Sequence, residues 1–206
     1  MTDDRRPRLV LVGPPGAGKT TVGRAIAGRL GVGFTDIDVL VEARAGKTIA
    51  DMFLQDGEDA FRALERAVVA ESLRSTDGVL ALGGGSVLAA VTRERLRGHR
   101  VVHLDVGLSD GLRRTGMSTA RPLLAGVNPR ATFKALLESR APLYREVATV
   151  QIDTSRRSPN QVVRAVLVAL GEVSPAAPEA VPDPADPLDR PTPHDGAPLP
   201  DPTVRP

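Results

Sequence analysis

The chain has 206 residues, of which 41% are hydrophobic, 2% are aromatic and none is cysteine, and its formal net charge is +2. This length allows one hydrophobic core with extensions rather than two ordinary domains. The lack of cysteine excludes disulfides and thiolate metal sites, and the scarcity of aromatic side chains argues against a platform for single-stranded nucleic acid. No apolar run approaches the roughly 20 residues of a membrane helix, so we expect a cytoplasmic protein that binds neither membranes nor nucleic acid.

Short apolar runs alternate with helical patterns along most of the chain. The candidate strands are residues 8–13, 32–37, 78–83, 100–106 and 148–153. Apolar spacing near 3.6 is clearest in residues 60–75 and 158–172, which we predict to be helices. Near-continuous Val and Leu strands separated by helices predict an α/β fold with a parallel sheet covered on both faces.

The first candidate strand runs directly into GPPGAGKT at residues 13–20, which fits the pattern G-x-x-x-x-G-K-[ST]. In such a loop the backbone N–H groups surround phosphate oxygens, and the following helix points its positive end at them. Lys19 would supply charge to the transferred phosphoryl group, and the Thr20 hydroxyl would hold Mg²⁺. The pattern therefore predicts a nucleotide-binding site, but it does not name a reaction.

Two aspartates, Asp36 and Asp38, follow the second candidate strand. If the strand continues through Asp38, both side chains point to one face and into one site. Buried unpaired carboxylates are costly, so such acids normally meet a metal, a cation or hydroxyl groups. The alternative is that one of them only caps the next helix.

Three glycines, Gly83, Gly84 and Gly85, follow the third candidate strand. A simple turn needs one glycine, whereas three allow the backbone to come close to a ligand, and Gly84 is the best single candidate. Residues 116–128 form the one long irregular stretch inside the domain and are predicted to be a mobile lid.

The composition changes after Ser174. Residues 175–206 contain 11 of the chain's 18 prolines and almost no large apolar residue, so we predict a disordered Pro/Asp-rich tail after a domain of residues 1–174. A passive extension is the expected role of this tail.

The motifs also restrict the class of P-loop protein. A GTPase switch would normally carry an N-K-x-D segment, which is absent, and the chain is too short for a motor. A small-molecule kinase remains, with its second substrate bound by the loops after the other parallel strands. A nucleotide-dependent switch or an RNA-associated P-loop protein is the alternative from a different class.

Six ordered blocks resemble the shikimate kinases. They are GPPGAGKTTVGRAIAGRLG, DIDVLVEARAGKTIADMF, DGEDAFRALE, LGGGSV, RPLL and RAPLYREVA, and the resemblance covers about residues 7–172. It implies a three-layer α/β/α sandwich with a five-stranded parallel sheet and a mobile lid. It also implies a monomer that uses ATP and one Mg²⁺ ion to phosphorylate the 3-hydroxyl of shikimate in aromatic amino-acid biosynthesis. A related small-molecule kinase, such as a gluconate kinase, is the nearer alternative.

The resemblance also implies a role for individual residues. Arg62, Arg140 and the three glycines would bind shikimate, whose carboxylate matches the planar fork of arginine. Asp38 would orient the reacting hydroxyl, with or without accepting its proton, while Thr20 and Asp36 would hold Mg²⁺.

The remaining implied residues bind ATP. The resemblance assigns the phosphates to Gly16, Ala17, Gly18, Lys19, Thr20 and Thr21. Arg114 and Arg157 would lie against the adenine, and Arg121 in the lid would close over the phosphates as a catalytic residue together with Lys19 and Asp38. The histidines at 99, 103 and 194 match no catalytic position.

Overall fold

Five parallel strands form the centre of the protein, for which the computed structural model describes residues 6–115 and 128–174. The strands are β1 (Leu9–Val12), β2 (Phe34–Asp36), β3 (Val79–Ala81), β4 (Val101–Asp105) and β5 (Val150–Asp153). Their order in the sheet is β2-β3-β1-β4-β5. The predicted number and direction of the strands are confirmed, although each strand is shorter than the apolar run that predicted it.

Helices cover both faces of this sheet. Those in the described residues are α1 (Lys19–Leu30), α2 (Ile37–Ala45), α3 (Ile49–Gln55), α4 (Gly57–Ser75), α5 (Ala90–Leu96), α6 (Leu108–Thr115), α7 (Pro129–Val147) and α8 (Pro159–Ala169). A short 3₁₀ turn, Ser86–Leu88, precedes α5. The helices predicted at 60–75 and 158–172 correspond to α4 and α8. Within the described ranges, no helix is long and apolar enough to span a membrane.

The side chains of β1 show why the sheet needs helices on both sides. All four residues are buried, and alternate side chains point to opposite faces. Leu9 and Leu11 pack in a core with residues of α1 and α8, whereas Val10 and Val12 pack in a second core with residues of α2, α4 and α7. The predicted three-layer α/β/α sandwich is therefore confirmed.

The strand order places the carboxyl end of β1 at the centre of the functional edge. β1 pairs with β3 on one side and β4 on the other, so the connections leave β1 in opposite directions. In open α/β sheets the crevice at such a switch point is where ligands bind. Of the predicted lid, only Asn128 is described, and its side chain caps α7. Residues 116–127 and the predicted tail lie outside the described residues.

Candidate active site

The loop at residues 13–20 connects β1 to α1 at this crevice. Gly16 and Gly18 have φ values of 77° and 90°, a backbone conformation that glycine adopts without steric cost. Gly18 is the N-cap of α1, and there is no acidic residue in the first turn of that helix. The positive end of the helix is therefore available to an anion.

Lys19 begins α1, and its side chain returns to the loop. The Nζ atom donates hydrogen bonds to the carbonyl oxygens of Gly13 at 2.8 Å and Pro14 at 3.1 Å. The ammonium group and the N-terminus of α1 thus present positive charge at one place. A phosphate chain is the ligand that this combination of charge and backbone favours.

Thr20 and Asp36, the two predicted metal ligands, lie in contact. The Thr20 hydroxyl donates to Asp36 Oδ2 at 2.7 Å, while Asp36 Oδ1 accepts from the backbone N–H of Asp38 at 3.1 Å. Asp36 is therefore also the N-cap of α2. Asp36 therefore does cap a helix, as the alternative interpretation predicted, and the same carboxylate also lies beside Thr20.

The strand does not continue through Asp38, so the condition for placing both acids on one face by strand alternation is not met. β2 ends at Asp36, and Asp38 lies in the first turn of α2. An aspartate that accepts from the N–H two residues later favours a helix start over an extended strand. The two acids still lie close together, but the cause is the helix cap rather than alternation along a strand.

Side chains from different helices approach the three successive glycines of the predicted acceptor site. A Cβ placed on Gly83 would lie 2.6 Å from Asp38 Oδ1 and 2.8 Å from Glu65 Oε1. A Cβ on Gly85 would lie 2.5 Å from Nη2 and 2.7 Å from Cζ of Arg62. The neighbouring side chains therefore leave no room for a Cβ at these two positions, and a ligand that approaches the backbone would also need glycine there.

Arg62 is held by acids on its own helix. Its Nη1 forms an ion pair with Glu65 Oε2 at 2.7 Å, and its Nε lies 3.2 Å from Glu58 Oε1. The guanidinium also lies 4.9 Å from the centre of the Phe61 ring. Glu65 is only 2% exposed and also accepts a hydrogen bond from Ser86 at 2.7 Å, so the position of the Arg62 fork is strongly restrained.

Arg140 reaches the same glycines from α7. Its Nη1 donates to the carbonyl oxygen of Gly84 at 3.0 Å, and the residue is 8% exposed. The hydroxyl of Tyr144, one helical turn later, donates to the same oxygen at 2.5 Å. Arg62 and Arg140, which come from different helices, are thus both in contact with residues 83–85.

The phosphate loop lies directly beside this group. A Cβ placed on Gly84 would lie 3.2 Å from Cδ of Pro15, which belongs to the loop at residues 13–20. The predicted donor and acceptor sites are therefore adjacent, which transfer between two bound substrates requires.

Comparisons with known proteins agree with this arrangement. The family model for shikimate kinase matches residues 15–171. A shikimate kinase of Saccharopolyspora erythraea is 62% identical over 157 residues, which are 76% of this chain and 90% of that protein. The chain belongs to the shikimate kinase family.

Solved structures give the same result for the fold. A shikimate kinase from Acinetobacter baumannii in complex with shikimate has a TM-score of 0.78 and 39% identity, covering 82% of this chain and 95% of that one. A gluconokinase from Sinorhizobium meliloti has a TM-score of 0.53 and 23% identity, covering 82% and 93%. The second likeness concerns the fold alone.

The shikimate kinase resemblance also assigned an adenine site to Arg114 and Arg157. α6 lies against the phosphate loop, because a Cβ on Gly16 would lie 2.7 Å from the carbonyl oxygen of Gly111. Arg114, also on α6, donates to Thr154 Oγ1 at 3.0 Å and to the Thr154 carbonyl oxygen at 2.8 Å, and a longer bond of 3.4 Å reaches the carbonyl of Arg157. The two arginines are brought together, while their contact with adenine stays a prediction. Arg121 lies outside the described residues.

Several assigned residues have structural roles of their own. Ala17 is 1% exposed and packs in the core of the α1 face, while Thr21 is exposed on α1. In the described ranges, no group of three His, Cys, Asp or Glu side chains is placed to hold a metal ion.

The sequence did not predict that Glu65 and Tyr144 contribute to the site of this shikimate kinase family member. Glu65 lies three residues after Arg62, and this spacing on a helix predicts an ion pair. Tyr144 is the only tyrosine in the chain, and its contact with Gly84 joins residues 60 positions apart. No local pattern could have indicated that contact.

Proposed function

We propose that this protein transfers the terminal phosphoryl group of ATP to the 3-hydroxyl of shikimate, giving shikimate 3-phosphate and ADP. Membership of the shikimate kinase family supports a kinase with ATP as co-substrate. The observation that carries the choice of acceptor is the convergence of Asp38, Arg62 and Arg140 on Gly83, Gly84 and Gly85, beside Pro15 of the phosphate loop. Had these three side chains lain on separate surfaces, the assignment would have no structural support.

The two arginines account for recognition of a small acid. Their guanidinium groups are largely withdrawn from water, and each has several N–H donors in one plane. A carboxylate that binds between α4 and α7 would receive charge-assisted hydrogen bonds from one or both groups. The ring hydroxyls would then face residues 83–85 and Asp38.

Asp38 is the group that we assign to the reacting hydroxyl. Its carboxylate lies next to Gly83, whose neighbour Gly84 lies beside Pro15 of the phosphate loop, and it can accept a hydrogen bond from the substrate O–H. As the new P–O bond forms, the bond between the γ-phosphorus and its bridging oxygen breaks, and the hydroxyl proton passes to Asp38. Lys19 and the N-terminus of α1 stabilise the negative charge on the transferred group and on ADP.

A magnesium ion fits the oxygen atoms of Thr20 and Asp36. The hydroxyl and the carboxylate lie 2.7 Å apart at the start of α1, and both are hard oxygen ligands. We propose that they hold one Mg²⁺ directly or through water, and this ion would neutralise charge on the nucleotide phosphates. The transition-state role of Arg121 stays a prediction for the lid.

Substrate selectivity tests this proposal most directly. ADP release is measured with shikimate, gluconate and nucleoside monophosphates in parallel, and with ATP and GTP as donors. We expect rapid release only with ATP and shikimate. Faster turnover of gluconate than of shikimate would show that the protein is a related small-molecule kinase instead. GTP hydrolysis without an acceptor would favour a nucleotide-dependent switch protein.

One chain supplies every residue named above, so we propose that the monomer is the active unit. Light scattering at the concentration used for the activity assay measures this, and a dimeric mass would contradict it. The cytoplasmic location stays a prediction from the sequence.

A further inference from the structure

Tyr144 makes a contact at the centre of the acceptor site that the proposed mechanism does not use. Its hydroxyl donates a hydrogen bond to the carbonyl oxygen of Gly84, which also accepts from Arg140. This carbonyl belongs to the peptide between Gly84 and Gly85, and the Arg62 guanidinium lies against Gly85. One peptide plane is therefore in contact with both predicted carboxylate-binding arginines.

A single donor would be enough to satisfy this partly buried carbonyl. Two donors arrive here from positions i and i+4 of α7, which lie on the same face of that helix. Both bonds fasten the glycine loop to α7, but only the arginine has the charge and the number of N–H groups to bind a carboxylate as well. The hydroxyl bond is thus available to hold the peptide while Arg140 engages a ligand.

The aromatic ring of Tyr144 is much more restrained than an arginine side chain. It is 1% exposed and stacks on His103 of β4, with ring centres 4.9 Å apart and an interplanar angle of 22°. His103 is itself 2% exposed, so the stack connects the tyrosine to the interior of the sheet. Burial raises the pKa of Tyr144 to about 12, although Arg140 opposes the rise, so the hydroxyl keeps its proton and stays a donor at neutral pH.

We infer that Tyr144 is a positioning residue of the acceptor site, whose hydroxyl fixes the Gly84–Gly85 peptide against which Arg62 and Arg140 rest. This inference rests on the proposed function, because it concerns recognition of the acid substrate. Without the hydroxyl, Arg140 alone must hold Gly84, and its fork is less well placed for the carboxylate. The phosphate loop keeps all its contacts.

The variant Tyr144→Phe tests this inference because it keeps the ring and its stacking and removes only the hydroxyl. We expect the KM for shikimate to rise about two- to tenfold, as for the loss of one hydrogen bond, while the KM for ATP stays within about twofold. Ser139→Ala is the matched control: it removes one hydroxyl bond, 3.1 Å to the Leu136 carbonyl, from the same helix. The control should retain both KM values.

The possible outcomes separate this inference from the proposed function. Wild-type protein that does not phosphorylate shikimate contradicts both. Wild-type protein that is active, with a Tyr144→Phe variant of unchanged KM for shikimate, contradicts only the positioning role. Equal rises in both KM values also contradict it, because they indicate general damage.

A second measurement decides the matter if Tyr144→Phe does not fold. The chain contains one tyrosine and no tryptophan, so the intrinsic emission of the wild-type protein reports Tyr144 alone. We expect shikimate to change this emission saturably because its carboxylate binds the arginine that shares the Gly84 oxygen. Emission that does not respond to shikimate would overturn the inference.

Discussion

Replacement of Gly85 by alanine should weaken shikimate binding without unfolding the protein. The new Cβ would lie 2.5 Å from Nη2 of Arg62, with Nη1 closer still, whereas ordinary contacts begin near 3.4 Å, so the guanidinium must retreat by about 1 Å. The obstacle is the end of a long side chain rather than backbone, so the fold can accommodate it. Retreat, however, disturbs the 2.7 Å ion pair with buried Glu65.

The size of the effect follows from the bond that is displaced. A hydrogen bond to a charged group contributes about 1.5–3 kcal/mol, and each 1.4 kcal/mol corresponds to about a tenfold change. We therefore expect the KM for shikimate to rise about ten- to a hundredfold in Gly85→Ala, while the KM for ATP changes by less than about twofold.

A coupled assay of ADP release, with each substrate varied in turn, measures both constants, and thermal unfolding monitors the fold. Gly28→Ala is the matched control, because no atom beyond its chain neighbours and the backbone of its own helix lies within 4 Å of a Cβ at this exposed position in α1. It should leave the kinetics unchanged and stabilise the protein by about 0.5–1 kcal/mol. A folded Gly85→Ala variant with normal KM for shikimate would refute the placement of Arg62 in the acid site.

Three further predictions concern other parts of the molecule. Asp38→Asn should lower kcat by at least about a hundredfold, while the affinity for nucleotide, measured by calorimetry, stays unchanged. Nearly normal turnover would show that Asp38 has only a structural role in the first turn of α2. Burial, with Arg145 and Lys19 adding and Asp105 opposing, lowers the pKa of His103. As the pH falls below about 6.5, this histidine therefore takes up a proton in the unfolded chain before it does so in the folded protein. The free energy of unfolding that is present above that pH is then progressively lost. The Tm of the His103→Phe variant should consequently fall less than the Tm of wild type when the pH is lowered from about 7.5 to about 5.5. Equal falls in Tm would contradict this. Truncation after Ser174 should leave kcat and both KM values unchanged, and a large loss of activity would show that the tail is functional.

Local sequence patterns were sufficient for the sheet and the phosphate loop. Alternate apolar residues in β1 bury both faces, and glycines with the lysine at residues 13–20 favour an anion-binding turn before a helix. The two aspartates show the limit of such patterns. A strand and a helix N-cap both tolerate the sequence around Asp36, and the backbone hydrogen bond from Asp38 decided between them.

The acceptor site depended on contacts between distant segments. Arg62 could be assigned from its resemblance to a known family, but its restraint by Glu65 and Ser86 required α4 to pack against the turn after β3. Tyr144 and Gly84 are 60 residues apart, and their bond exists because α7 packs against the turn that follows β3.

The amino-acid sequence by itself determined the order of strands and helices, the phosphate loop and the family. These depend on hydrophobic periodicity and on backbone conformations that are set within a few residues. Only the tertiary structure decided that two arginines, an aspartate and a tyrosine surround three glycines. Hydrogen bonds and steric exclusion act over a few ångströms in space, and their partners are chosen by the packing of helices on the sheet rather than by distance along the chain.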